Sequence, residues 1–413
     1  MQRSLYSAVS GMRNHQTKMD VIGNNISNVN TTAFKGGSVL FQDILSQTLR
    51  GAGGPQDNRG GTNPLQVGLG MNIASITNNH TQGSLQATGR STDLAIQGSG
   101  FFMVNDGLSN YYTRDGSFNL GPDGILVQSG TGYRLQGWMA DAQGVVDMDG
   151  PLGHLHIPIG SDRIASPTTM LQLAGNLHAQ WEEGESITIT TGVYDSLGVE
   201  HEVDIVLTKV AADGNDWTVD LQYNEVSYMG EPLPEVTFDP TNGSFAGFTG
   251  DSITISAEVL NTGAADLVFD LNFSNVTQVS GPMDILARYQ DGYPSGVLDS
   301  FSVGKTGTIT GIYSNGMIRD LGIVSMAAFA NPEGLTKMAN NLWVPSANSG
   351  QALVGQAGEQ GLGTIEGSTL EMSNVDLVNE FTEMITTSRA FQANSRVIST
   401  SDEMLVEVVN IKR

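Results

Sequence analysis

An α+β chain, mainly β, is predicted, with nested domains: two β-rich domains plus a two-helix coiled-coil region formed by the N- and C-termini. Three observations carry this reading. Heptad-spaced apolar residues occupy both ends of the 413 residues. Between them, two-residue alternation is punctuated by Gly-containing turns. The acidity is concentrated in the middle of the chain.

The N-terminal segment, 1–30, places Leu5, Val9, Met12, Gln16, Met19, Gly23 and Ile26 at a repeating 4-3 spacing, which is the spacing of a coiled-coil seam. The C-terminal segment, 370–413, repeats it at Leu377, Phe381, Met384, Ser388, Phe391, Ser395, Ile398, Asp402, Leu405 and Val409. Ser373 is the expected cap, with Asp376 three residues on. Polar residues interrupt the seam at Gln16, Ser388, Ser395 and Asp402. A two-stranded coil so interrupted is marginal alone, and other copies are expected to complete its burial. The expected polymer interface is therefore Leu5, Val9, Met12, Met19, Asn24, Asn25 and Ile26, with Leu377, Phe381, Met384, Phe391, Ile398 and Leu405. Asn24, Asn25, Asn28 and Asn30 form an amide cluster. Asn favours caps and turns over helix interiors, so the cluster reads as a helix end, as intersubunit amide contacts, or as both.

Segments 31–70 and 360–369 are expected to form an irregular extended connection, with Gly and Pro dense between Arg50 and Gln66. Segments 71–149 and 288–359 are read as an inner β domain. Turns are expected at Asp106-Gly107, Asp115-Gly116, Asp123-Gly124 and Asn315-Gly316. Segment 150–287 is read as an inserted acidic outer β domain with further turns at Asp213-Gly214 and Asn242-Gly243. Within it Ile187, Ile189, Val203, Ile205, Leu207, Val219 and Leu221 fall on alternate positions.

Charge divides the chain the same way. Between Ile164 and Ala287 there are 19 acids and one base, Lys209, whereas residues 1–36 hold four bases and one acid. Segment 370–413 holds seven acids and four bases. Only 15% of residues are charged, against a net charge of -24; about 25% is usual for globular domains. Such a chain is a poor ligand for nucleic acid, whose phosphates repel it.

The absence of cysteine removes disulfides, thiolate metal sites and thiol nucleophiles together. The first residues lead into an amphipathic pattern with no apolar core and cleavage site of a secretory signal. The longest near-continuous apolar run, Leu321 to Ala330, is too short to cross a bilayer. No membrane partner is expected.

Candidate chemistry fails on spacing. Gly304-Lys305-Thr306 ends like a phosphate loop, but position 299, where the first Gly belongs, is Asp. Asp147-Met148-Asp149-Gly150 hints at a calcium loop, but no Glu closes it and Pro151 and Pro158 intervene. His154 and His156 share a strand face without further ligands in sequence, and His201-Glu202 has Ile205 where a second His belongs. No Gly-x-Ser-x-Gly elbow occurs. The acidic block could hold a carboxylate pair for glycoside hydrolysis, so a secreted acidic β-rich carbohydrate binder or glycosidase is the outside alternative. The expectation is no enzyme, no cofactor and no metal.

The ends carry more than periodicity. Ser7-Ala8-Val9-Ser10-Gly11-Met12 and the run Met19 to Lys35, containing Gly23-Asn24-Asn25-Ile26-Ser27-Asn28, resemble the N-terminal signature of flagellar rod and hook axial proteins. Leu370-Glu371-Met372-Ser373-Asn374-Val375-Asp376-Leu377 and Arg389-Ala390-Phe391-Gln392-Ala393-Asn394-Ser395 resemble the matching C-terminal signature. Leu94 to Phe102 and Phe329 to Leu335 are similar to the inner β domain of the family. Val193-Tyr194-Asp195-Ser196-Leu197-Gly198, with His201 after it, is similar to the outer domain of hook-type members. That insert favours a hook role, with a distal rod or hook–filament junction role as the alternative. Many relatives have Gln-Arg-Ala-Tyr where Ser388-Arg389-Ala390-Phe391 stands. The cysteine–lysine cross-link of some hook-type members is impossible without Cys.

The resemblance implies an extracellular helical homopolymer with the terminal helices lining a channel, a flexible universal joint carrying torque from rod to filament. It implies export without a cleaved signal. Its implied partners are other copies of itself, the distal rod protein, the hook–filament junction protein, the hook cap and the flagellar type III export apparatus.

Overall fold

The computed structural model describes residues 2–55, 60–141, 143–211 and 214–411. The first residue of the turn expected at Asp213-Gly214 lies outside them. Backbone packing divides the chain into two compact units. One is Met1–Ile157 with Ser302–Thr310 and Asp320–Arg413; the other is Pro158–Phe301 with Gly311–Arg319. Against the inserted block expected over 150–287, the second unit begins at Pro158, runs on to Phe301 and takes in Gly311–Arg319. The physical reason is strand pairing: Arg163–Ser166 runs antiparallel to Tyr293–Val303, with Arg163 opposite Val297, which draws residues beyond 287 into the second unit.

The first unit opens with helix α1 (Gln2–Ser27) and ends with helix α3 (Leu377–Ile411); a one-turn helix α2 (Ala257–Leu260) belongs to the second unit. Behind α1 come strands β1 (Gly37–Asp43), β2 (Ser46–Arg50), β3 (Leu65–Gly68) and β4 (Met71–Asn78). β1 and β4 pair antiparallel from Gly37 opposite Asn78 to Asp43 opposite Met71, and β2 pairs with β3. Segment 31–70 is thus not the irregular connection expected from its sequence. Only Val39 of β1 is buried, so the segment shows no two-residue period, and the partner that makes β1 a strand lies beyond position 70. Segment 360–369 departs likewise: Thr364–Gly367 pairs with β6 (Leu94–Gln97).

The remaining pairings of this unit join distant parts of the chain. β5 (Leu85–Ala87) pairs with Thr369–Glu371; β7 (Phe101–Asn105) pairs with β8 (Asn110–Thr113) and with Met326–Ala328. β8 also pairs with Leu342–Val344. An apolar cluster of Phe101, Met103, Tyr112, Ala327, Phe329, Leu335 and Trp343 fills the centre. Residues 94–113 supply one wall and residues 326–344 the other.

In the second unit Ser186–Tyr194, Glu200–Lys209, Asp216–Tyr223, Glu235–Phe238 and Phe245–Phe248 form consecutive antiparallel neighbours. A second sheet runs Ile253–Ile255, Leu267–Val279, Met170–His178, Leu286–Gln290, its middle pair parallel. Both contribute to one core around Leu173, Val203, Ile205, Trp217, Val219, Phe269 and Phe273. Glu200–Lys209 alternates between buried and outward residues, as a strand covered on one face must. Glu202 and Asp204 therefore point away from the core while Val203 and Ile205 enter it. Lys209, the lone cation of the acidic block, is buried with Nζ donating to the Ala179 carbonyl.

Candidate assembly surface

The helices α1 and α3 run antiparallel. Near one end of the pair Asn25 Nδ2 donates to Glu380 Oε1 at 3.0 Å; nearer the other, Gly11 meets Asn394. A Cβ on Gly11 would stand 2.7 Å from Asn394 Nδ2, so the residue allows a close crossing that no side chain permits. Between these points Lys18 Nζ lies 3.0 Å from a Glu383 carboxylate oxygen. That pair is half-exposed and worth less than about 1 kcal/mol.

The face α1 buries differs from the expected seam. Ala8, Gly11, Asn14, Ile22 and Asn25 are buried, whereas Leu5, Val9, Met12, Met19 and Ile26 are only half-buried. The stripe is turned by about one residue, roughly 100°. The cause is a second neighbour that the heptad reading did not include. The β1–β4 pair lies against α1, with Asn14 Nδ2 donating to the Met71 carbonyl at 2.7 Å and the His15 ring 5.5 Å from Phe41.

On α3 the expected residues Met384, Phe391, Ile398 and Leu405 are half-buried, whereas Leu377 and Phe381 are exposed by 38% and 49%. The helix cap is Asp376 rather than Ser373: its Oδ1 accepts the Val378 N–H at 2.9 Å, the second helical amide. Asn24 is exposed and accepts from the Asn28 amide within the helix end. Asn25 leaves the expected interface set. It is 3% exposed, and its amide is engaged by the Gly37 carbonyl and N–H as well as by Glu380.

Sequence reasoning missed the knot that ties the two terminal motifs together. Lys35 and Glu371 side chains are both 0% exposed, with Nζ and Oε1 2.7 Å apart. Lys35 Nζ also donates to the Thr81 carbonyl at 2.8 Å, and Glu371 Oε1 accepts the Gly83 N–H at 2.8 Å. Arg114 approaches the second Glu371 oxygen at 3.5 Å and donates to the Gly98 carbonyl at 2.7 Å. Gly83 has no room for a side chain, because a Cβ would fall 2.0 Å from the Met372 carbonyl oxygen. Asn374 completes the tie: its Oδ1 accepts the Gly36 N–H at 2.9 Å and its amide donates to the Asn79 carbonyl at 2.8 Å. The available signal was an unlike charge in each motif, Lys35 in one and Glu371 in the other.

Burial pushes the Lys35 ammonium and the Arg114 guanidinium below their ordinary pKa values, with Glu371 pulling each back. His80 lies beside them, its ring 4.7 Å from Trp343 and 5.6 Å from Phe101. Burial first, then the charges of Lys35, Arg114 and Lys337, push it down to about 4. Burial raises Glu380, against the hydrogen bond from Asn25. The contacts of this knot hold charge and shape in place; beside it Asn25, Gly36, Asn374 and Glu380 line an open cavity of about 320 Å³.

The apolar surface left over is extensive. On α3 Val378 is 74% exposed, Ile385 58% and Val409 68%; on the β1–β4 and β2–β3 ribbons Leu40 is 54%, Leu49 53% and Ile76 50%. A two-stranded ribbon with such residues in water is marginal at best. Among the described residues no helix is long and apolar enough to cross a membrane.

Four family descriptions match consecutive parts of the chain. "Flagella basal body rod protein" matches residues 5–35, and "Flagellar hook protein FlgE/F/G D1 domain" matches 95–191. "Flagellar basal body protein FlaE D2 domain" matches 179–293, and "Flagellar basal body rod FlgEFG protein C-terminal" matches 366–411. The chain is 41% identical to the flagellar hook protein FlgE of Borreliella burgdorferi, covering 100% of both. It is 32% identical to that of Salmonella typhimurium over 99% of this chain and 100% of the relative. The flagellar basal-body rod protein FlgG of Bacillus subtilis is 31% identical, with 100% of both covered. The crystal structure of Helicobacter pylori flagellar hook protein FlgE2 superposes with a TM-score of 0.51 at 14% identity, covering 70% of this chain and 100% of that one. That likeness speaks to the fold.

Proposed function

The chain belongs to the flagellar hook and basal-body rod protein family, and on that premise we propose that it is the subunit from which the flagellar hook is built. It is a structural component of the bacterial flagellum. The observation that supports polymerisation most directly is a mismatch on α3. One face is covered by α1, while Val378, Phe381 and Ile385 stand 74%, 49% and 58% exposed. Burying such side chains stabilises by roughly 1.5–3 kcal/mol each, and a second copy is the partner a homopolymer offers.

In this reading both terminal helices line the export channel and the first unit forms the tube wall. The acidic second unit faces water, where its outward carboxylates keep neighbouring contacts polar and exchangeable. The tube bends as it turns and carries torque from rod to filament. Its partners are the distal rod protein, the hook–filament junction protein and the hook cap, and the type III export apparatus delivers it outside the cell without a cleaved signal. A distal rod role is the second reading, favoured by the full-length relation to the Bacillus subtilis rod protein.

Concentrated purified protein is expected to form tubes visible by negative-stain microscopy. Deleting 377–413 is expected to abolish them; tubes of normal yield from the deleted chain would overturn the reading. A deletion strain that completes its rod but bears no hook separates the hook role from the rod role.

A further inference from the structure

We propose that a stripe of four charged residues on α3, Arg389, Arg396, Glu403 and Glu407, seats the same stripe of a second copy, parallel and displaced along the helix axis. The inference rests on the polymer reading above and deepens it by naming the face and the pairing.

The four residues are spaced by seven, seven and four, which places them on one side of an α-helix. All four are exposed, and among the described residues none takes part in an ion pair within the chain. The half-buried Phe391, Ile398 and Leu405 face α1; at 100° per residue the charged stripe falls nearly opposite them. It continues toward the start of the helix through Ile385 and Val378, 58% and 74% exposed. Along one line the surface therefore runs apolar, basic, then acidic.

The change of sign dictates the partner. Two copies lying parallel and in register would set Arg on Arg and Glu on Glu, which is repulsive. Displacing one copy by eleven to fourteen residues, about 17–21 Å at 1.5 Å per residue, brings Arg389 and Arg396 of one helix against Glu403 and Glu407 of the next. The two halves of the contact are different patches on the same molecule. Such a heterologous contact does not close on itself and repeats head to tail, as an open helical assembly requires. An unrelated partner would need its own sign-changing stripe at matching spacing; a second copy has it by construction.

Charge reversal in full-length chains tests this. The variants R389E/R396E and E403R/E407R each have a stripe of one sign, and each alone is expected to need at least tenfold more protein to polymerise. Mixed in equal amounts, the two are expected to assemble near the wild-type concentration. The fourfold swap R389E/R396E/E403R/E407R restores a self-complementary stripe in one chain and is expected to assemble by itself. All four positions are exposed, so circular dichroism of each variant before assembly should match the wild type. The inference is overturned if both double variants polymerise at the wild-type concentration, or if neither the mixture nor the fourfold swap does better than the double variants. If those outcomes occur while deletion of 377–413 still abolishes tubes, the stripe fails and the polymer reading stands; tubes from the deleted chain would overturn both.

Discussion

Replacing Glu371 by Gln isolates the contribution of the knot between the termini. The substitution keeps the shape and an oxygen that can accept from Lys35 Nζ and from the Gly83 N–H, at present 2.7 and 2.8 Å away. It removes the only carboxylate in ion-pair contact with Lys35 and Arg114 among the described residues. Two buried cations are then left without a counter-charge, since Lys35 and Arg114 are 1% and 4% exposed. Breaking a fully buried pair in this way costs about 3–5 kcal/mol. With a urea dependence of roughly 2–3 kcal/mol per molar, the midpoint of the first unit should fall by about 1–2.5 M.

Tryptophan fluorescence is a suitable assay because the residues are divided between the units: Trp138 and Trp343 in the first, Trp181 and Trp217 in the second. In single-tryptophan backgrounds the Trp343 transition should move and the Trp217 transition should not. The double variant Lys35→Met/Glu371→Leu should recover part of the loss, because it replaces one charged pair by an apolar one while Arg114 stays buried without its carboxylate. A loss below about 1 kcal/mol by the same unfolding analysis would refute the reasoning, as would equal shifts at both tryptophans.

Two further outcomes follow from the same region. His80 is held at about 4 in the folded chain, against about 6.5 unfolded; the folded state therefore binds fewer protons between these values. Stability is complete above about pH 6.5 and falls as pH drops toward 4, by up to about 3 kcal/mol; in His80→Phe, urea midpoints between pH 6.5 and 4 should lose most of that slope. Gly11→Val places a side chain where a Cβ already comes within 2.7 Å of Asn394, and such overpacking costs about 1–3 kcal/mol. Hydrogen exchange at α1 amides should speed up accordingly, and Asn394→Ala in the same chain should restore part of the protection.

How much of this was legible beforehand differs by element. Alternation over 187–221 located strands of the second unit because one face of each is buried and the side-chain period is 2. β1 was illegible because one buried residue, Val39, makes no period. The α1 stripe was misplaced by one residue because a heptad reading assumes one partner, and α1 has two.

By itself the sequence determined that the two ends are helical and that residues 187–221 are strands, where the charge lies, and through the terminal motifs which family the chain belongs to. Those properties reside in local spacing, composition and unbroken runs of residues. Only the tertiary structure decided that Lys35, Arg114 and Glu371 share one buried site, that Asn25 is consumed within the chain, and which face of α3 is left uncovered. These depend on contacts between positions as much as 355 residues apart, and a buried pair of opposite charges leaves no periodic trace in either segment that supplies it.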